Sequence, residues 1–142
     1  MMKKMYLLPV ALIIFFAVNS CEKYDFKRDL SGSWIIYQVS GGLYPHQSPF
    51  NFTKLRISSN DTWVIYNHDT LMASGTVSIY RSSHSYDPSL EDYYIKFNKG
   101  EPFYKEPTLP LDEELDVEFL HNDTLILSQR NVADGYQYYF AK

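Results

Sequence analysis

The chain has 142 residues with a formal net charge of −4 and a single cysteine, Cys21. That length supports one domain with a modest core. One cysteine rules out an intrachain disulfide, and an acidic chain without a basic stripe argues against nucleic-acid binding, because phosphate contacts require clustered Lys and Arg.

Lys3 and Lys4 form a short basic segment, an apolar run follows from Met5 to Val18, and Asn19-Ser20 lead into Cys21. The run is shorter than a membrane span and suits the apolar region of a signal peptide. Val18, Ser20 and Cys21 resemble the lipobox of bacterial lipoproteins, which implies cleavage before Cys21 and acylation of its sulfur and amine, palmitate included. Residues 1–20 then form the signal peptide and residues 21–29 a lipidated cysteine with its tether. Residues 30–142 remain as the folded domain. Removing the signal leaves 122 residues and lowers the net charge to −6. Glu22 is not the aspartate that holds some lipoproteins at the inner membrane. The expected location is therefore the cell envelope, on the periplasmic or surface face of the outer membrane.

Glu22 to Asp29 (EKYDFKRD) is mostly charged and non-periodic, and reads as a tether able to reach about 25 Å. From Ser33 onward, alternating runs predict strands at 33–40, 52–58, 62–68, 70–80, 91–98, 114–121, 124–130 and 136–141. Thirteen tyrosines, nine phenylalanines and two tryptophans agree with a β fold. Asn60-Asp61, His68-Asp69 and Asn122-Asp123 supply turn chemistry between strands. Gly75 interrupts the fourth run and predicts a bulge or bend. In the sixth run Leu115, Val117 and Phe119 fall on one face and Glu114, Asp116 and Glu118 on the other. Eight strands with short links predict an all-β, eight-stranded antiparallel up-and-down barrel, with a sandwich as the alternative.

Leu30-Ser31-Gly32-Ser33-Trp34 opens the first strand. It resembles the Gly-x-Trp start of lipocalins, and especially the lipocalin-like domains of bacterial lipoproteins. The Leu120–Leu127 hairpin and the ending Tyr138-Tyr139-Phe140 are similar to that group as well. The resemblance implies structural roles for Gly32 and Trp34, with Trp34 at the closed end of the barrel beneath a basic side chain, Arg130 or Lys142. The chain lacks the C-terminal helix and the disulfide of classical lipocalins.

In an up-and-down barrel the connections after the first, third, fifth and seventh strands share one end. Two of these are the longest in the chain, 41–51 (GGLYPHQSPFN) and 99–113 (KGEPFYKEPTLPLDE). Long loops in compact domains are disproportionately functional. Leu43, Tyr44, His46, Phe50, Phe103 and Tyr104 are therefore candidate ligand-binding residues at a barrel mouth facing away from Cys21. They would hold a small hydrophobic ligand or an envelope protein, or fold back as a plug, since eight-stranded barrels have little spare interior. The four histidines are scattered without metal-ligand spacing, and the acidic run 112–118 reads as a solvated strand face. No nucleophile motif, phosphate loop or dinucleotide fingerprint is present. The expectation is a non-enzymatic protein without metal or cofactor, attached to a membrane by its lipid. It either binds a small ligand or serves as an interaction module, accessory subunit or inhibitor of an envelope complex.

Overall fold

A computed structural model describes residues 25–42, 49–83 and 91–142. They form one short helix and eight strands. The helix is α1 (Phe26–Leu30), and the strands are β1 (Gly32–Ser40), β2 (Lys54–Ile57), β3 (Thr62–Asn67) and β4 (Thr70–Ser83), then β5 (Glu91–Phe103), β6 (Glu114–His121), β7 (Thr124–Gln129) and β8 (Gln137–Ala141). Each strand pairs antiparallel with its neighbour in sequence, and β1 closes on β8, which makes an eight-stranded up-and-down barrel. Closure leaves the sheet without a free edge. The turns form where Asp, Asn and His accept positive φ: Asp61 between β2 and β3, His68 between β3 and β4, and Asn122 between β6 and β7.

The interior is packed with side chains. Trp34, Trp63, Phe52, Phe97 and Phe140 are fully buried, together with Leu55, Ile65, Ile95, Leu115 and Leu125. Apart from Phe52, which precedes β2, these residues come from inward positions on seven of the strands. Met72, Ala73 and Val77 supply the buried positions of β4, the outcome expected when one face of each strand meets the core. At Gly75 the β4–β5 register shifts. A Cβ there would lie 1.9 Å from the Asn98 carbonyl oxygen, so only glycine permits this close backbone approach.

Two elements differ from the sequence expectation. Residues 26–30 are not tether but a helix docked on the barrel. The Asp25 carboxylate accepts from the Arg28 backbone N–H at 3.1 Å and caps it, while Phe26 and Leu30, one turn apart, are buried. A helix this short is held by packing rather than by propensity, and the Phe26 ring stacks on Tyr93 at 3.9 Å. Strand β5 also runs on to Phe103, through Gly100 and Pro102, where the composition reads as loop.

The sixth strand carries a third difference. A bulge between Val117 and Phe119 breaks the alternation. Phe119, expected inside, is thereby turned to the exterior and is 46% exposed.

Candidate functional site

The end of the barrel where β1 begins is closed by α1 and the C-terminus. Trp34 is fully buried there, and its indole N–H donates to the Leu30 carbonyl at 2.8 Å. Lys142 is the cation over its ring, with Nζ 4.5 Å from the centroid, and also donates to the Asp29 carbonyl at 3.0 Å. Gly32 sits at φ +142°, and a Cβ there would come within 3.0 Å of the Lys142 side chain, so the glycine leaves the lysine its path across the tryptophan. Arg130, the other candidate for this role, lies elsewhere. Its guanidinium covers the Tyr94 ring at 3.9 Å and donates to Asp116 at 3.1 Å, because the β7–β8 connection emerges at the opposite end of the barrel.

That opposite end is the predicted mouth. Leu43, Tyr44 and His46 lie outside the described residues, as does Cys21. Phe50 and Phe103 pack against the core, and Lys99 Nζ sits 3.6 Å over the Phe103 ring. Tyr104 is 73% exposed. Residues 104–113 fold across the barrel end instead of standing away from it. Leu109 is fully buried beneath them. Asn51 ties the segment down, donating to the Glu106 carbonyl at 2.9 Å and accepting from the Thr108 backbone N–H at 2.9 Å. The Tyr138 hydroxyl donates to the Thr108 carbonyl, and burial, reinforced by nearby Glu113, pushes that hydroxyl's pKa up, so it stays protonated. A recess of about 250 Å³ remains between Val39, Pro49, Thr108, Tyr136 and Tyr138. Phe50, Phe103 and Tyr104 do not line it, so the described mouth candidates do not converge on one cavity.

The larger clefts are elsewhere. At the α1 end a cleft of about 600 Å³ has Phe26, Val77, Ile79 and Tyr93 as its apolar lining and Asp25, Lys27 and Asp61 as its rim, with Lys27 and Asp61 paired at 2.8 Å. On the outer wall, beside the β7–β8 connection, a polar cleft of about 500 Å³ is lined by Asp116, Glu118, Ser128, Gln129, Asn131 and Gln137 among others. Burial, with Glu118, Asp92 and Glu114 nearby, holds the Asp116 carboxyl above its ordinary value against the opposing pull of Arg130. The sequence marked Asp116 and Glu118 only as a wet strand face. Their convergence with Ser128 and Gln137 depends on strand register, which no local motif reports.

Among the described residues no group of three His, Cys, Asp or Glu side chains is placed to hold a metal ion, and no helix is long and apolar enough to cross a membrane. The architecture defines the class: a closed eight-stranded antiparallel barrel with a filled interior, compatible with a lipocalin-like arrangement. The chain matches no protein-family model, no curated protein and no solved structure.

Proposed function

We propose that this protein is a lipid-anchored, non-enzymatic barrel of the bacterial cell envelope that acts as an interaction module, presenting its surface to a partner instead of storing a ligand in its interior. The observation that carries this reading is the filled core. Trp34, Trp63, Phe97 and Phe140 are fully buried and Leu109 is buried at the loop end, so large side chains occupy the space that a stored guest would need. The anchor rests on the basic segment, the apolar run and the lipobox-like Val18 to Cys21. Asp25 is docked with α1, so three residues separate it from Cys21, a reach of about 14 Å at most over four Cα–Cα steps. The 104–113 segment at the far end, with Tyr104 on its surface, is the loop offered to an envelope partner.

Crosslinking in intact cells should recover a specific envelope protein, and trimming the exposed part of 104–113 should remove it. Unchanged partners after the trim would sink this reading. The lipid is tested separately by the mass of the processed protein, which should lose its acyl increment in Cys21→Ser. A second reading, a small hydrophobic ligand, is favoured by the recess beside Tyr138. It requires a rise in unfolding temperature with a lipid or porphyrin.

A further inference from the structure

The outer wall made by β6, β7, β8 and β1 differs chemically from the rest of the barrel. None of these four strands contains Lys or Arg, and neither does β3, whereas β2 carries Lys54 and Arg56, β4 carries Arg81, and β5 carries Lys96 and Lys99. Outward side chains on the wall fall into two parallel rows that cross the strands. The first row is apolar. It runs from Tyr37 to Tyr139, whose rings are 6.2 Å apart, then to Ile126 opposite Tyr139 and to Phe119 opposite Ile126. Tyr37 is 48% and Phe119 46% exposed, and Ile35 extends the row on β1 at 47%. The second row is polar, with Ser40 opposite Gln137, Gln137 opposite Ser128, and Ser128 opposite Asp116. The rows lie about 7 Å apart and span about 14 Å, from strand rise and strand spacing. The polar cleft of about 500 Å³ opens along the second row.

Both rows are organised in advance. The Tyr139 hydroxyl is held between Ser40 Oγ at 3.3 Å and Gln137 Oε1 at 2.7 Å, which fixes its ring. Among the described residues the Gln137 amide nitrogen and the Asn131 side chain have no hydrogen-bond partner, so both remain available to a ligand. Arg130 is the cation beside the polar row, and it is taken up by Tyr94, Asp116 and Glu114, while Lys54 and Arg56 on β2 flank the far side of β1.

A ligand matching this wall needs a flat apolar surface beside an edge of hydroxyls, and it must carry no negative charge. Asp116 and Glu118 repel phosphates, sulfates and acidic sugars, and among the described residues the cation next to them, Arg130, is already engaged. Sugar rings have this dual character: their C–H faces stack on aromatic rings, and their hydroxyls bond to amides, hydroxyls and carboxylates. We propose that the wall binds a neutral oligosaccharide laid across β1, β8, β7 and β6, its C–H faces on the Tyr37–Phe119 row and its hydroxyls along the Ser40–Asp116 row. This site is independent of the lipid anchor and of the loop end.

The test is calorimetric titration of the full chain, purified in detergent, with short uncharged gluco-, manno-, xylo- and chito-oligosaccharides. At least one series should bind, with an affinity insensitive to salt. Replacing Tyr37 and Tyr139 together by Ala should weaken it roughly tenfold or more, and Ile126→Arg should do the same by placing a bulky cation in the row. Arg81→Ala, on β4 across the barrel, should leave binding unchanged. These side chains point outward, and unchanged thermal unfolding verifies that each variant is folded. Failure of every sugar to bind overturns the proposal, as does binding that survives both wall variants. Self-association, or salt-sensitive binding of a purified basic protein that the wall variants abolish, overturns it in favour of protein docking.

Discussion

Trp34 joins three parts of the chain through one side chain: its indole N–H holds the end of α1, its ring carries Lys142, and its edge faces the core. Trp34→Ala should therefore destabilise the fold by about 3–5 kcal/mol. Lys142→Met keeps the aliphatic stem and removes the charge, so it should cost only about 0.5–1 kcal/mol. Urea unfolding of both variants checks this ordering. Asp116 makes a prediction of opposite character. Its carboxyl is held above the ordinary range, so the folded state binds that proton more tightly than the unfolded state. The resulting stability is fully present below the unfolded-state pKa and is lost as pH rises through the folded one. Asp116→Asn keeps an acceptor for Arg130 and removes the titration. The stability difference between wild type and variant should shift in favour of the variant as pH rises across that window, and urea midpoints measured from pH 3 to 7 would show no such drift if the carboxyl titrates normally.

At the scale of elements, the strands were legible because alternation and turn residues agree. All eight predicted runs coincide with strands, and the bulge expected at Gly75 is present. Gly75→Ala should cost about 3 kcal/mol or more, since the new methyl meets the Asn98 carbonyl and the Trp63 indole, and neither has room to move. Equilibrium denaturation showing a loss below about 1 kcal/mol would contradict the close approach. The helix was hidden because Lys27, Arg28 and Asp29 dominate its composition, and two apolar residues one turn apart do not stand out from a charged tether. The late part of β5 was hidden because Gly100 and Pro102 are ordinary loop residues that pairing with β4 overrides. Phe119 fails for a different reason. A bulge is a property of two strands in register, so alternation read along one strand assigns the wrong face beyond it.

For the molecule as a whole, topology followed from strand count and loop length, and so did the sorting of loops between two ends. What those loops do was not legible. The aromatic and proline-rich composition of 99–113 is equally consistent with a ligand gate and a plug, and only the burial of Leu109 and the Asn51 hydrogen bonds distinguish them. Asn51→Ala should release that plug. A loss of about 1–3 kcal/mol is expected, along with faster hydrogen exchange confined to the loop end. The wall of β6, β7, β8 and β1 was also invisible in sequence, because its two rows join residues as far apart as Tyr37 and Tyr139.

The short link before α1 restricts how the molecule can face its surroundings. On the anchor proposed here, a leash of three residues lets the barrel spin about its long axis but not somersault. With that anchor the α1 end would stay turned to the bilayer, and the two-row wall would look sideways, parallel to the membrane, at a nearly constant height. A surface mounted in this way would sweep a thin layer just above the lipid and meet only what lies within that layer.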